Sequence, residues 1–392
     1  MAQKNLQLAK AAKNDEFYTQ YGDIQKEIGA YLDYNPNVFR GKVMYCNCDD
    51  PFESNFFRYF VLNFNKLGLK QLITTSYKPS PVANTQLGLF GDDKTLAKAK
   101  GRPKINANKF IINEVRDIDG DGEFNLKDIA KQLRANKHNE WTPLEKDGDF
   151  KSPECIELLK QSDIVITNPP FSLFREYIKQ LFDYNKRFVI IGNLNAITYK
   201  EIFPLIKTNR LWLGNGFHAG NAYFFTPNTR DFASGVYDEK TGLVKFRNVC
   251  WFTNLDHGRR HQPLPLMTME ENLKYSKHKE IRGKKAYDKY ENYNAIEVPF
   301  TDSIPSGYDG LMGAPISFLN KYNPDQFEIV GMCENEDLYG LKTKAYTSAE
   351  CKQAYLDKFG KKGTYDLNAS GVVLRNGLLE KVYQRVLIKH KK

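Results

Sequence analysis

The sequence lacks any apolar stretch long enough to span a bilayer. Its first twenty residues, MAQKNLQLAKAAKNDEFYTQ, lack the apolar core of a secretion signal. These absences point to a soluble, cytoplasmic protein. Cysteine is sparse: six residues at 46, 48, 155, 250, 333 and 351, with no second close pair beside Cys46 and Cys48. That argues against a four-ligand zinc site and for reduced core thiols. His257 and His261 are four apart, but Gly258 and two arginines lie between them. No metal is expected there. No internal repeat is present.

What is there is an ordinary globular composition. The 392 residues are 41% hydrophobic and 27% charged, enough for one large or two medium domains. The net charge of +10 favours a polyanionic partner, which is a statement about partners and not about fold.

Over the first two-thirds, short β-branched runs alternate with helical patterns. Val43–Asn47, Gln71–Ser76, Asp163–Thr167 and Arg187–Gly192 read as strands. Residues 55–66 read as a helix, with Phe56, Phe57, Phe60 and Phe64 at helical spacing and facing the core. A further helix is expected near Phe174–Tyr184. This rhythm predicts an α/β fold with a doubly wound, mostly parallel sheet and helices on both faces. Arg210–Leu213, Ala222–Phe225 and Val249–Thr253 could add an antiparallel edge. The catalytic domain is placed at residues 1–253, with an insertion at about 78–146, and a second α+β region at 254–392.

The insertion carries two signals. Lys94–Lys109 holds six basic residues and no acid, centred on Lys100-Gly101-Arg102-Pro103-Lys104. An extended arginine between Gly and Pro suits a narrow DNA minor groove; a solvated linker is the competing reading. Asp117–Asp128 has acids at loop positions 1, 3, 5 and 12 and Gly at 6, as in a calcium loop. The alternative is an Asp/Gly-rich turn capping the helix that starts at Leu126. In the second region, Lys274–Lys285 holds six basic residues against Glu280 alone, so Lys277, Arg282 and Lys284 are candidate DNA contacts beside Lys100, Arg102 and Lys104.

The sharpest signal is Ile166-Thr167-Asn168-Pro169-Pro170-Phe171. Proline fixes its own φ and restricts its predecessor, so a rigid elbow ends the strand, where α/β sheets bind ligands. An exocyclic amino group on a base is a poor nucleophile, because its lone pair is delocalised into the ring. The Asn168 side-chain oxygen and the Pro169 main-chain oxygen can accept its two N–H bonds and orient the lone pair. Phe171 offers a face for stacking the base, which must be flipped out of a duplex.

This motif resembles the catalytic motif of S-adenosylmethionine-dependent amino-methyltransferases. Asn14–Gln20, with Phe17, Tyr18 and Thr19, resembles the methionine-binding motif of adenine methyltransferases. Asp49-Asp50-Pro51-Phe52 resembles their cofactor loop, and Gly148-Asp149-Phe150 the segment that holds the cofactor adenine through Asp149. Taken with "VMYCNCDDPFESNFFRYF", "NAITYKEIFPLIK" and "AIEVPFTDSIPSGYDGLMG", the chain resembles the EcoRI-type adenine-specific DNA methyltransferases over most of its length. The resemblance implies a Rossmann-like fold, S-adenosylmethionine as cofactor, methylation of adenine N6 in double-stranded DNA, and target recognition in the C-terminal region. It also implies a restriction-modification setting, with a cognate endonuclease on a separate protein and GAATTC as the first site to try.

The sequence departs from the usual pattern in two places. Glu53 and Asn55 stand where the cofactor loop usually has glycines, and the second strand ends in Ser76-Tyr77 without an acid for the ribose. Competing readings are methylation of a protein glutamine or an RNA base, cytosine N4 methylation (where Ser usually replaces Asn168), a DNA-binding protein without catalysis, and a turn with no chemical role.

Overall fold

The computed structural model describes residues 18–48, 54–77, 107–118, 120, 125–135, 138–217, 221–225 and 235–391. The chain divides into two units, Met1–Ile206 with Leu211–Gly258 and Lys207–Arg210 with Arg259–Lys392.

The first unit opens with β1 (Tyr18–Thr19) and the helix Tyr21–Tyr34. β2 (Val43–Cys46), β3 (Gln71–Thr75), β4 (Asn108–Ile112), β5 (Glu140–Pro143), β6 (Ile164–Thr167) and β7 (Arg187–Asn193) follow. Then come β8 (Trp212–Leu213), β9 (Asn221–Phe225), β10 (Tyr237–Asp238), β11 (Leu243–Arg247) and β12 (Val249–Thr253). One eight-stranded sheet has the order β5-β4-β3-β2-β6-β7-β12-β8. Only the β3-β2-β6-β7 centre is parallel. Its strands are buried on both faces, which is why they read as continuous apolar runs rather than alternating ones.

The expected mostly parallel sheet is therefore corrected to a mixed one. Both flanks are antiparallel: β12 and β8 on one side, β4 and β5 on the other. β4 and β5 come from the insertion, where the sequence pattern marked no strand. β9 was expected at this edge, yet it joins β1, β11 and β10 in a separate four-stranded sheet. Neither outcome could be read locally, because alternating five-residue runs do not say which neighbour they pair with.

The phenylalanine helix spans Asn55–Leu62 and, after a break at Asn63, a turn at Phe64–Leu67. Phe56, Phe57, Phe60 and Phe64 are all buried in the main core with Trp251 and Phe110. The chain passes from β2 outward to β3 and later returns to the other side of β2 as β6. The carboxyl ends of β2 and β6 thus flank the point where strand order reverses, the usual ligand crevice of such sheets.

The second unit has a four-stranded sheet, β13 (Ala295–Glu297), β14 (Leu311–Pro315), β18 (Arg385–His390) and β15 (Phe327–Met332) in spatial order. A hairpin of β16 (Val372–Arg375) and β17 (Leu378–Lys381) turns at Asn376-Gly377, both with positive φ. The helix Ser348–Phe359, capped by the Thr347–Glu350 box, packs on it through Cys351, Ala354 and Val372.

Candidate active site

The Asn168–Phe171 elbow leaves the carboxyl end of β6, and Leu173 N closes the following turn on Pro170 O at 2.9 Å. The helix Phe174–Asp183 starts at once. Its first ring, Phe174, lies against Gly192 of β7, where a Cβ would come within 2.5 Å of it, and packs on Phe252 at 4.8 Å. Asn168 is half-buried with its Oδ1 shielded from solvent; Pro169 is buried. The half-buried Phe171 meets Phe246 of β11 edge-on, ring centres 6.4 Å apart.

Two hydrogen bonds join this elbow to the end of β2. The Thr167 hydroxyl donates to the Asn47 main-chain oxygen, and the Tyr177 hydroxyl donates to Asn47 Oδ1. Burial pushes the Tyr177 phenol well above its ordinary pKa, with the nearby thiol of Cys48 adding to the effect, so the group stays a neutral donor. Phe150 packs edge-on against Tyr177 at 5.0 Å, and Gln180 Nε2 donates to Phe150 O at 3.0 Å. The candidate adenine-holding segment and the candidate catalytic elbow therefore share one wall.

Asp149 follows Gly148, whose φ of +77° and close approach to Ser76 O leave no room for a side chain; a Cβ would sit 2.0 Å from that oxygen. This seats Asp149 beside the carboxyl end of β3. Its Oδ1 accepts from Lys151 N at 2.9 Å. Ser76 itself accepts from Asn108 N at 2.8 Å through its hydroxyl. The strand end that lacks an acid is thus tied to the inserted β4.

Tyr18 and Thr19 pair with Phe225 and Phe224 of β9. Asn55 Nδ2 donates to Thr19 O at 2.8 Å, while Ser54 caps the same helix by accepting from Phe56 N and Phe57 N at 3.1 and 3.2 Å. Asn55, a departure from the glycine pattern, makes a hydrogen bond that glycine could not. Thr19 is 1% exposed, and its hydroxyl has no hydrogen-bond partner among the described residues. Cys48, at the end of β2, has a φ of +64°, a strained value for a residue with a side chain. Phe17, Asp49, Asp50 and Pro51 lie outside the described residues, as do Lys100, Arg102 and Lys104.

In the second unit, Lys277 is held by Asp302 at 2.7 Å. Lys284 is held by Asp288 at 2.9 Å, in a chain of charges that continues through Arg375 and Glu380 to Lys358. Lys284 pairs with a carboxylate four residues on, whereas the partner of Lys277 is one its sequence neighbourhood does not announce. Arg282 is exposed and has no ion pair among the described residues.

The Asp117–Asp128 loop is described only in part, residues 119 and 121–124 lying outside. Asp128 is fully buried, and its two oxygens accept from Ile118 N and Asn125 N at 3.0 Å each. Asp117 Oδ1 accepts from Gly120 N at 2.7 Å. The two amide bonds to Asp128 are those of a turn cap, while the loop acids Asp119 and Asp121 lie outside the described residues. Among the described residues no cysteine forms a disulfide, and five of the six are buried. Among the described residues no helix is long and apolar enough to cross a membrane.

Of the residues that assemble this site, Asn47, Asn55, Thr167 and Tyr177 were not singled out from sequence for these contacts. Only their nearness to the motifs could have flagged them.

Residues 5–391 match the family described as "Adenine-specific methyltransferase EcoRI". The chain is 41% identical over 334 residues to the type II methyltransferase M.EcoRI of Escherichia coli, covering 83% of this chain and 88% of that protein. It is 36% identical over 344 residues to the type II methyltransferase M.MpnI of Mycoplasma pneumoniae, covering 86% of this chain and 89% of that protein. No solved structure matches. The family resemblance read from the motifs is borne out: the chain belongs to the EcoRI family of adenine-specific methyltransferases.

Proposed function

We propose that this methyltransferase acts on adenine N6 at a specific sequence in double-stranded DNA, with S-adenosylmethionine as donor, as the modification enzyme of a restriction-modification system. The observation that carries the reading is the position of Asn168: it leaves β6 at the strand-order reversal, bonded through Thr167 to Asn47 at the end of β2. This supports a Rossmann-like methyltransferase architecture for the first unit. The second unit takes the role of target recognition, and a cytoplasmic location fits the reaction.

The cofactor fits the residues present. A buried Thr19 hydroxyl without a partner among the described residues and the Gly148-Asp149 cradle on Ser76 are the marks of a polar ligand site. Thr19, Asp149 and the segment Asp49–Pro51, with Phe17, Tyr18 and Phe150 shaping the walls, would hold it. When bound, it supplies an electrophilic methyl group.

The chain's own residues do the rest. Asn168 Oδ1 and Pro169 O accept the two N–H bonds of the adenine amino group, so its lone pair is freed from the ring and aimed. The prolines hold both acceptors in one geometry, and no strong base is required. Phe171, backed by Phe246, stacks on the flipped base and excludes water.

The test is methyl transfer from labelled S-adenosylmethionine to duplex DNA, starting with GAATTC, with modified bases mapped for wild type and Asn168→Ala. N6-methyladenine at one short sequence, reduced about 10²–10³-fold in the variant, is expected. A wild-type protein that binds the cofactor but leaves DNA unmethylated would move the reading to a protein glutamine or an RNA base.

A further inference from the structure

The small sheet β1-β9-β11-β10 has two unlike faces. Strand alternation turns Ala222, Phe224, Val244 and Phe246 inward, where Phe246 meets Phe171. The other face carries Tyr223 and Phe225, 44% and 45% exposed, with Lys245 and Arg247. Lys245 pairs across the ladder with Tyr223, and its ammonium stands over that ring at 5.9 Å. Neither Lys245 nor Arg247 has an ion pair among the described residues.

We infer that this outer face docks the DNA duplex beside the target base, Lys245 and Arg247 binding phosphates and Tyr223 packing on the sugar edge. Three observations select DNA as the occupant. Large aromatic rings left exposed in a sheet, interleaved with cations, match a polyanion with apolar sugar faces. The two cations flank Phe246 in the chain, so they sit one sheet thickness from the ring that backs Phe171. The same sheet contains Thr19, so one rigid element would set the duplex, the base site and the cofactor site in register. By contrast, Lys277 and Lys284 already have carboxylate partners.

The inference rests on Asn168–Phe171 being the base site, and the experiment separates the two. Duplex affinity is measured by fluorescence anisotropy across a salt series for wild type, Tyr223→Ala, Lys245→Gln with Arg247→Gln, and Asn168→Ala. Cofactor affinity of each variant serves as the folding control. The double variant should bind duplex at least about tenfold more weakly, with a salt slope shallower by about two, one for each phosphate no longer neutralised. Tyr223→Ala should weaken binding severalfold without changing the slope. An unchanged affinity and slope in the double variant, with cofactor still bound, overturns the inference. Asn168→Ala reports separately: abolished methyl transfer with duplex affinity retained keeps the base-site reading whatever the sheet variants do, and full activity removes that reading.

Discussion

Thr19 is the residue where structure and function pull apart most clearly. Its buried hydroxyl has no hydrogen-bond partner among the described residues, a cost to the fold of about 1–3 kcal/mol. Thr19→Val keeps the shape and removes that cost. The variant should melt at or above the wild-type temperature, yet bind S-adenosylmethionine about tenfold more weakly. Calorimetric titration beside a thermal melt checks both; an unchanged affinity would make the hydroxyl a packing accident. Asn55 carries a related lesson. Its amide bonds Thr19 O across 36 positions of sequence, so an asparagine in place of the usual glycine acts as a strut after β2. Gly148 is the opposite case: its φ and the nearness of Ser76 O require glycine.

At the scale of elements, the second unit is held by charge placed inside it. Glu297 of β13 reaches past β14 to Arg385 of β18, with Nη2 at 2.6 Å, and also accepts from the Tyr290 hydroxyl. Gly313 of β14 makes the room, since a Cβ there would lie 2.0 Å from that hydroxyl. Removing one partner of a buried pair strands the other, so Glu297→Gln should cost about 3 kcal/mol in urea unfolding. Arg385→Met with Glu297→Leu should recover much of it.

A second, more exposed network ties the β16–β17 hairpin to Asp288. Burial raises the Asp288 pKa, but hydrogen bonds from Lys284 and Arg375 outweigh it and hold the carboxyl below its ordinary range. A depressed carboxyl contributes stability that is fully present above the unfolded pKa of about 3.9 and is lost as pH falls through the folded value. Asp288→Asn should therefore lower stability at neutral pH by about 1 kcal/mol, a difference that narrows as melts are run below the unfolded pKa and closes only below the depressed folded value.

For the whole molecule, an adenine-specific DNA methyltransferase with a net charge of +10 should release counterions on binding, and its duplex affinity should fall steeply with salt. The partners seen in the second unit sharpen that expectation. Arg282→Ala should flatten the salt slope by about one, while Lys277→Ala and Lys284→Ala should leave it nearly unchanged. Equal effects from all three would mean that the ion pairs open when DNA binds.

Much of this protein was legible in its sequence. The four parallel strands, the phenylalanine helix and the Asn168–Phe171 elbow are local patterns, written in β-branched runs, helical spacing and paired prolines. The motifs also placed the chain in its family. What they could not say is what touches what. Asn47 meets Thr167 across 120 positions and Tyr177 across 130, and Asp288 meets Arg375 across 87. The insertion's strands, the separate sheet under Phe171 and the pairing of Lys277 with Asp302 belong to the same class. Periodicity records which face of an element is apolar; which distant partner covers that face or neutralises that charge is settled only when the chain closes on itself.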